Sequence, residues 1–392
     1  MLLFHHIFVT DGIRERTMKL NKIYTAVLFG TLPASTLYAA GLDRSGQTIS
    51  AFLQPGNYAE AGISVVDADV GSSKLAVDDM ADSYNYVNAA IKVQATDKIS
   101  LGLIYDQPFG ADSTYATTGF FAQSGEGTSV KVKTNNITAL IGYQPTENWN
   151  VYAGPVWQTV EAKIALRGPA YKYSGYNVKV HEKEAYGWLA GVAYQIPEIA
   201  LKASLTYRSE IDHHAKSSED ILAALPTGVT RIAASGDVTA TTPQSVNLDF
   251  QTGVAANTIA FANVRWAQWS EFAVTPKLLY QATKGSNLID YADDQWSANV
   301  GVGRKFNDKW SGSALVSYDS GAGNPVTTLG PTEGYWGVGL GAQYSPAENY
   351  FIQGGVRYMW LGDATAKAGP TVLDDFTDNH AIGYGMKIGY RF

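Results

Sequence analysis

AIGYGMKIGYRF, residues 381–392, closes the chain. Ile382, Tyr384, Met386, Ile388, Tyr390 and Phe392 are apolar or aromatic; Gly383, Gly385, Lys387, Gly389 and Arg391 fall between them. In a strand, successive side chains point to opposite faces, so one face is greasy and the other small or cationic. The stretch is about as long as a tilted strand needs to cross a bilayer. A soluble sandwich could hold one such strand. A wet face of Gly and charge, with an aromatic residue closing the chain, fits a barrel whose apolar face meets lipid and whose other face meets the lumen.

Composition agrees. The 392 residues include 39 Gly, 24 Tyr, 9 Trp and no Cys, with a mean hydropathy of -0.11. No run approaches the roughly 18 apolar residues of a spanning helix. Absence of Cys excludes disulfides and thiolate metal sites. Near the start, the basic segment Met18–Lys22, the apolar run 23–32 and the small residues 34–40 follow the order of a Sec-type signal peptide. The expected division is a leader at 1–39 (with 1–17 an upstream extension), a short hatch-like segment at 40–59 and a barrel at 60–392. Of the 29 basic and 36 acidic residues, four and two lie in 1–39, which leaves 25 and 34, net -9. An acidic exported protein is a poor partner for nucleic acid.

Alternating segments recur at roughly 60–70, 83–95, 99–107, 130–144, 149–166, 178–195, 199–212, 238–256, 258–274, 291–306, 309–319, 334–344, 350–361 and 380–392. The predicted fold is all-β: a transmembrane antiparallel β-barrel of about 14 strands with a short N-terminal plug segment. Connections alternate in length. Thr96–Lys98, Pro145–Asn148, Ile196–Glu198, Asn307–Asp308 and Ser345–Asn349 read as tight turns. Between them lie 71–82, 108–129, 167–177, 213–237, 275–290, 320–333 and 362–379. Short turns on one rim and long loops on the other is the asymmetry of outer-membrane barrels. A charge facing mid-bilayer lipid costs about 2–4 kcal/mol, so parity turns Arg208, Arg357, Lys387 and Arg391 inward, with Glu210 and Arg265 beside Arg208. Such charges either set lumen polarity or form a structural network that fills the barrel.

Leu205–Glu210, Trp269–Phe272, Ala162–Ile164 before a long loop, and Ala40–Gly41 at the expected mature start resemble the FadL family, outer-membrane transporters of long-chain fatty acids and other hydrophobic compounds. The resemblance spans the mature chain, with Leu-Thr-Tyr-Arg-Ser-Glu its most specific stretch. It implies a fourteen-stranded barrel in the Gram-negative outer membrane, a hatch inside it, ligand sites under the loops, and sideways release at a kinked third strand. One departure concerns the hatch, which usually carries Asn-Pro-Ala. Here Gln54-Pro55-Gly56 stands in a segment of only about twenty residues.

Apolar residues concentrated in long loops suit a pocket for a hydrophobic molecule, with packing of the loops over the mouth as the plainer alternative. Phe109, Phe120 and Phe121 stand in one loop with Tyr115; Leu278 and Leu279 stand in another with Tyr280, Leu288 and Ile289. Arg167 and Lys284 fall where the resemblance implies cations for a carboxylate head group, a task that Arg suits; surface cations near lipopolysaccharide are the alternative. Gln107, Pro108 and Gly110 end the third strand with residues that break pairing, either opening the wall or merely entering a loop.

Enzyme signatures are missing: there is no G-x-S-x-G, H-E-x-x-H or phosphate-cradling loop. His181 and His380 have no Ser at diagnostic spacing, and His213–His214 reads as a solvated pair. No cofactor and no metal are expected. The expected protein is a monomeric passive channel for a fatty acid, alkane or aromatic, working by loop capture, an internal pocket and lateral exit. The alternatives are a water-filled porin for polar solutes and a structural or surface-interaction barrel.

Overall fold

Alternation builds a closed cylinder in the computed structural model, which describes residues 42–171, 175–225 and 228–392. The expected leader falls outside the described residues. Fourteen antiparallel strands follow in chain order. They are β1 (Tyr58–Asp69), β2 (Tyr84–Gln94), β3 (Ile99–Asp106, resuming as Gly110–Thr114), β4 (Ser129–Tyr143), β5 (Trp149–Leu166), β6 (Tyr176–Ile196), β7 (Leu201–Arg208 and Ile211–Leu225), β8 (Gly228–Thr242 and Ser245–Ala255), β9 (Thr258–Ala267), β10 (Gln295–Lys305), β11 (Trp310–Asp319), β12 (Tyr335–Ala347), β13 (Tyr350–Leu361) and β14 (His380–Arg391). Each pairs with its neighbour, and β14 closes on β1 from Tyr58↔Arg391 to Asp69↔His380. Closure leaves no open edge in lipid.

Parity on β14 runs as the sequence predicts. Tyr384, Met386, Ile388 and Tyr390 are exposed on the outer skin, and Lys387 is buried in the bore. Val338 and Leu340 face outward on β12, while Gln343, Gln353 and Arg357 are buried. Aromatic pairs form two belts. Trp149 with Tyr194 (4.7 Å) and Trp310 with Tyr344 (4.8 Å) mark the short-turn rim; Trp188 with Tyr207 (5.2 Å) and Tyr318 with Trp336 (4.8 Å) mark the other. Trp310 and Tyr318 are eight residues apart on β11, about 26 Å along a strand, which tilt brings near the height of an outer-membrane apolar band.

One long connection departs from the sequence expectation. The stretch 213–237 is not a loop: β7 and β8 continue past the upper belt as a hairpin, paired from Ile211↔Thr242 to Leu225↔Gly228. Its outward residues, His214, Lys216 and Ser218, are polar because they stand above lipid, so the hairpin lacks the greasy face that marks a spanning strand. The connection after β13 carries two short strands of its own, Ala364–Ala368 and Thr371–Phe376.

Residues 42–57 run inside the barrel despite their shortness. Ile49, Ala51, Phe52 and Leu53 are buried against inward side chains, Phe52 lying edge-on to Tyr152 at 5.9 Å. Gly102 and Gly142 leave the space: a Cβ on Gly102 would sit 2.5 Å from Phe52 Cδ2, and one on Gly142 2.9 Å from its Cζ. Wall residues satisfy the segment's carbonyls. Arg208 Nη2 donates to Gln47 O (2.9 Å), Lys202 Nζ to Leu53 O (2.8 Å), Asn247 Nδ2 to Gly46 O (2.8 Å) and Lys92 Nζ to Gln54 O. A buried carbonyl without a donor is costly, so these side chains on the lumen face hold an irregular backbone in place.

Candidate ligand cavity

The third strand breaks where Pro108 removes a ladder donor. Its pairing with β2 ends at Ala89↔Tyr105 although β2 runs on to Tyr84. Against β4 the ladder passes Asp106↔Asn136 and resumes at Gly110↔Lys133, three residues against two, a one-residue bulge. The bulge turns inward onto the hatch: Arg44 N–H donates to Pro108 O (2.6 Å) and Gly110 N–H to Leu42 O (2.8 Å). Gly110 has no room for a side chain, since a Cβ would meet the Arg44 guanidinium at 2.5 Å. Gln107 spans the interruption, with its Oε1 accepting from Val87 N–H (3.1 Å) and its Nε2 donating to Asn135 Oδ1 (3.2 Å).

The inward bulge delivers Phe109 to an apolar cavity of about 40 Å³. Phe109 packs edge-on against Trp269 at 5.5 Å, and Trp269 likewise against Phe272 at 5.3 Å. Inward side chains of β4 to β8 complete the wall, among them Val132, Val160, Val180, Ala215 and Val238, with Leu288 and Ile289 above. Every polar side chain in the lining is already engaged. Thr134 Oγ1 donates to Phe109 O (2.7 Å), Thr242 Oγ1 to Gln158 Oε1 (2.8 Å) and Trp269 Nε1 to Gln295 Oε1 (2.7 Å). His213 corrects the reading of a solvated pair. It is fully buried, its Nδ1 3.2 Å from Lys183 O and its Nε2 2.9 Å from Gln158 Oε1, while His214 is exposed. Nothing in the lining offers a free donor or charge to a head group.

The other loop residues lie elsewhere. Phe121 belongs to the same apolar core but does not line the cavity: it is stacked on Tyr115 (4.2 Å) and edge-on to Tyr171 (6.1 Å), with Phe120 half-buried beside it. Burial pushes the Tyr171 hydroxyl up to about 12 and the Tyr115 hydroxyl well above its ordinary value, so both stay protonated. Tyr115 donates to Thr328 O, and Tyr171 meets Thr328 Oγ1 at 2.8 Å; together they tie three loops over the mouth. Leu278 and Leu279 begin a short helix, α1 (Lys277–Thr283), whose first N–H groups rest on the Glu219 carboxylate at 3.0–3.1 Å. Leu279 is buried beneath the loops in the same apolar core as Phe109 but does not itself line the cavity.

Neither loop cation stands free over the cavity. Arg167 is buried and committed: its Nε donates to Glu126 (2.8 Å), Nη1 to Leu166 O and Tyr176 O (3.0 Å each) and Nη2 to Asn177 Oδ1 (2.7 Å). Lys284 is the exposed C-cap of α1, in a left-handed conformation (φ 59°).

Of the lumen charges, Arg208 and Arg265 join the hatch. Arg265 donates through Nε to Asp43 (2.7 Å) and through Nη2 to Gln47 Oε1 (2.9 Å). Lys387 pairs with Glu60 at 3.2 Å, and Tyr58 OH donates to the same carboxylate (2.6 Å). Arg357 is buried beside a chamber of about 110 Å³ that hatch residues Ser45, Gly46 and Thr48 help to line; Arg391 is half-buried at the short-turn rim. Glu210 is the exception. Strand β7 breaks at Ser209–Glu210, Arg208 and Ile211 both face inward, and Glu210 is exposed on the outer side. One extra residue shifts parity, so Glu210 does not join Arg208.

A family model described as outer membrane protein transport protein (OMPP1/FadL/TodX) matches residues 50–392. Among solved structures, a FadL homologue of Pseudomonas aeruginosa is similar with a TM-score of 0.71 at 15% identity, over 88% of this chain and 92% of that one. The toluene transporter TodX of Pseudomonas putida matches with 0.65 at 13%, over 92% and 96%. The toluene transporter TbuX of Ralstonia pickettii matches with 0.61 at 12%, over 88% and 91%. At such identities the likeness is one of fold. No curated protein matches the sequence.

Proposed function

The chain belongs to the OMPP1/FadL/TodX family of outer-membrane transport proteins, and we propose that it passes a neutral hydrocarbon, an alkane or an aromatic, across the outer membrane without energy input. The observation that carries this reading is the chemistry of the cavity: eighteen lining residues and no polar atom left open to the interior. A carboxylate entering such a space would lose its hydration with no partner in return, a cost of several kcal/mol. A hydrocarbon loses nothing of the kind. Two of the similar structures are toluene transporters, in line with the same chemistry. Long-chain fatty acids, which the FadL resemblance also implies, would need a cation at the mouth, and Arg167 is occupied.

In this reading the loops gather hydrocarbon, the cavity behind Phe109 widens by side-chain movement to admit it, and it leaves sideways between β2 and β3. The missing ladder above Ala89↔Tyr105 supports that exit, with Gln107 as the side chain that would have to swing aside. The hatch across the bore counts against a water-filled porin, and the inward bulge against a barrel that only stiffens the membrane.

Purified protein in liposomes tests it. Toluene or decane should equilibrate faster than through empty liposomes, with decanoate gaining far less and conductance staying low. Preference for decanoate would overturn the hydrocarbon assignment, and a large steady ion current would restore the porin.

A further inference from the structure

A second interruption of the wall lies on the far side of the cavity. Strand β6 pairs with β7 from Leu201↔Ile196 to Arg208↔Leu189, and again from Ser217↔Val180 to Asp220↔Asn177. Between these, residues 181–188 and 209–216 face each other without a ladder, a window of eight residues, about 26 Å along the strands. Its cause is local. Strand β7 breaks at Ser209–Glu210, and β6 carries an extra residue against β5 between Val160↔Lys183 and Ala162↔Val180. The extra residue on each strand cancels, since Arg208↔Leu189 and Ser217↔Val180 share one register, and the ladder is interrupted only between the two irregularities.

Few bonds cross it. At the bottom Ser209 N–H donates to Trp188 O (3.0 Å) and Trp188 N–H to Ser209 Oγ (3.0 Å). Midway His213 Nδ1 reaches Lys183 O at 3.2 Å, and near the top His181 Nε2 meets Ser218 Oγ at 3.0 Å. Inside, Ile211 lies over Gly187, where a Cβ would sit 2.6 Å from Ile211 Cγ1. Above it His213, Ala215 and Val180 form the cavity wall itself. Outside, Tyr186 (71% exposed) and Trp188 (52%) mark the upper aromatic belt at the window's lower end. Aromatic side chains of this kind sit at the headgroup level, so the window begins at the membrane surface and Glu182, Glu184, Asp212 and His214 stand above it in water.

We propose that this window is an inlet: a hydrocarbon dissolved at the outer-leaflet surface passes between β6 and β7, past Ile211, directly into the apolar cavity. The inference rests on the hydrocarbon reading above and adds a second way in beside the loops. A paired wall would have to break a ladder of bonds to open, whereas this stretch has no ladder to break and one side chain to move.

A reversible staple tests it, in a chain that has no cysteine of its own. The Gly187→Cys, Ile211→Cys pair brings its Cβ atoms into disulfide range. Toluene uptake by liposomes holding the double variant is read oxidised and then reduced, with the bond verified by mass and folding by the gel shift of the unheated barrel. The expected result is a several-fold fall on oxidation, restored by reductant. If the staple distorts the barrel, Ile211→Trp and Ile211→Ala replace it, expected to slow and to speed uptake. Equal uptake by the oxidised and reduced forms, or by the Trp and Ala variants, would overturn the inlet while wild-type transport upholds the hydrocarbon reading. A wild-type protein that moves no toluene would sink both.

Discussion

Asp43 of the hatch and Arg265 of β9 form a buried ion pair, Nε to Oδ2 at 2.7 Å, 222 residues apart in sequence. The other guanidinium nitrogens rest on Ser245 Oγ (3.0 Å), Asn247 Oδ1 (2.7 Å) and Gln47 Oε1 (2.9 Å). Asp43 also forms the bridge to Phe109, so one residue joins the hatch, the barrel wall and the bulge of β3.

Removing one partner of a buried pair leaves an uncompensated charge, a loss of about 3–5 kcal/mol. Asp43→Ala should spend that loss on freeing the hatch, because the ladders of the barrel are untouched. Limited proteolysis should then cut within 42–57, and ion conductance should rise, while the barrel keeps its melting temperature. Asp43→Asn keeps an acceptor for Arg265 and should release the hatch less. Equal protection of the hatch in wild type and Asp43→Ala would show that the pair does not hold it.

Phe52 and the two lumen glycines make a steric test of the same segment. Gly102→Val places atoms where the Phe52 ring lies, and overpacking of this kind costs about 1–3 kcal/mol. The variant should lose hatch protection, and Phe52→Ala in the same chain should restore most of it by vacating the space. Failure of the second change to rescue the first would mean that Gly102 serves the wall rather than the hatch.

How far the sequence could be read follows from what each residue borders. Alternation on β12 and β14 was legible because one neighbour is lipid, which tolerates no charge at Val338 or Ile388. Family likeness in Trp269–Phe272 marked a stretch that turned out to line the cavity, though not its role there. Glu210 was placed on the wrong side because a one-residue bulge leaves no trace in composition yet inverts parity beyond it. His213 was illegible for a related reason: its burial depends on Gln158 and Lys183, far off in sequence. The β7–β8 hairpin hid because polar residues above a membrane read as loop whether or not they pair.

Arg167 offers a sharper discrimination. Its four bonded partners come from Glu126, Leu166, Tyr176 and Asn177, three separate stretches that it clamps into one loop base. Arg167→Ala should therefore slow uptake of toluene and of decanoate by the same factor, through a loosened mouth. Loss confined to decanoate in the liposome assay would return the guanidinium to the head-group role.

The outer skin supplies the last prediction. Leu340 on β12 lies midway between Trp336 and Tyr344, one of each belt, and is 62% exposed on the lipid side. Leu340→Arg puts a charge near the bilayer midplane at a cost of about 2–4 kcal/mol. Its neighbour Gly341 points to the other face, so Gly341→Ser should meet the lumen and change folding far less. Reversible unfolding by guanidinium in lipid bilayers measures both. The expected order is a clear loss for Leu340→Arg and a small one for Gly341→Ser. A reversed order would place lipid on the wrong side of the wall, and with it the cavity, the hatch and the inlet.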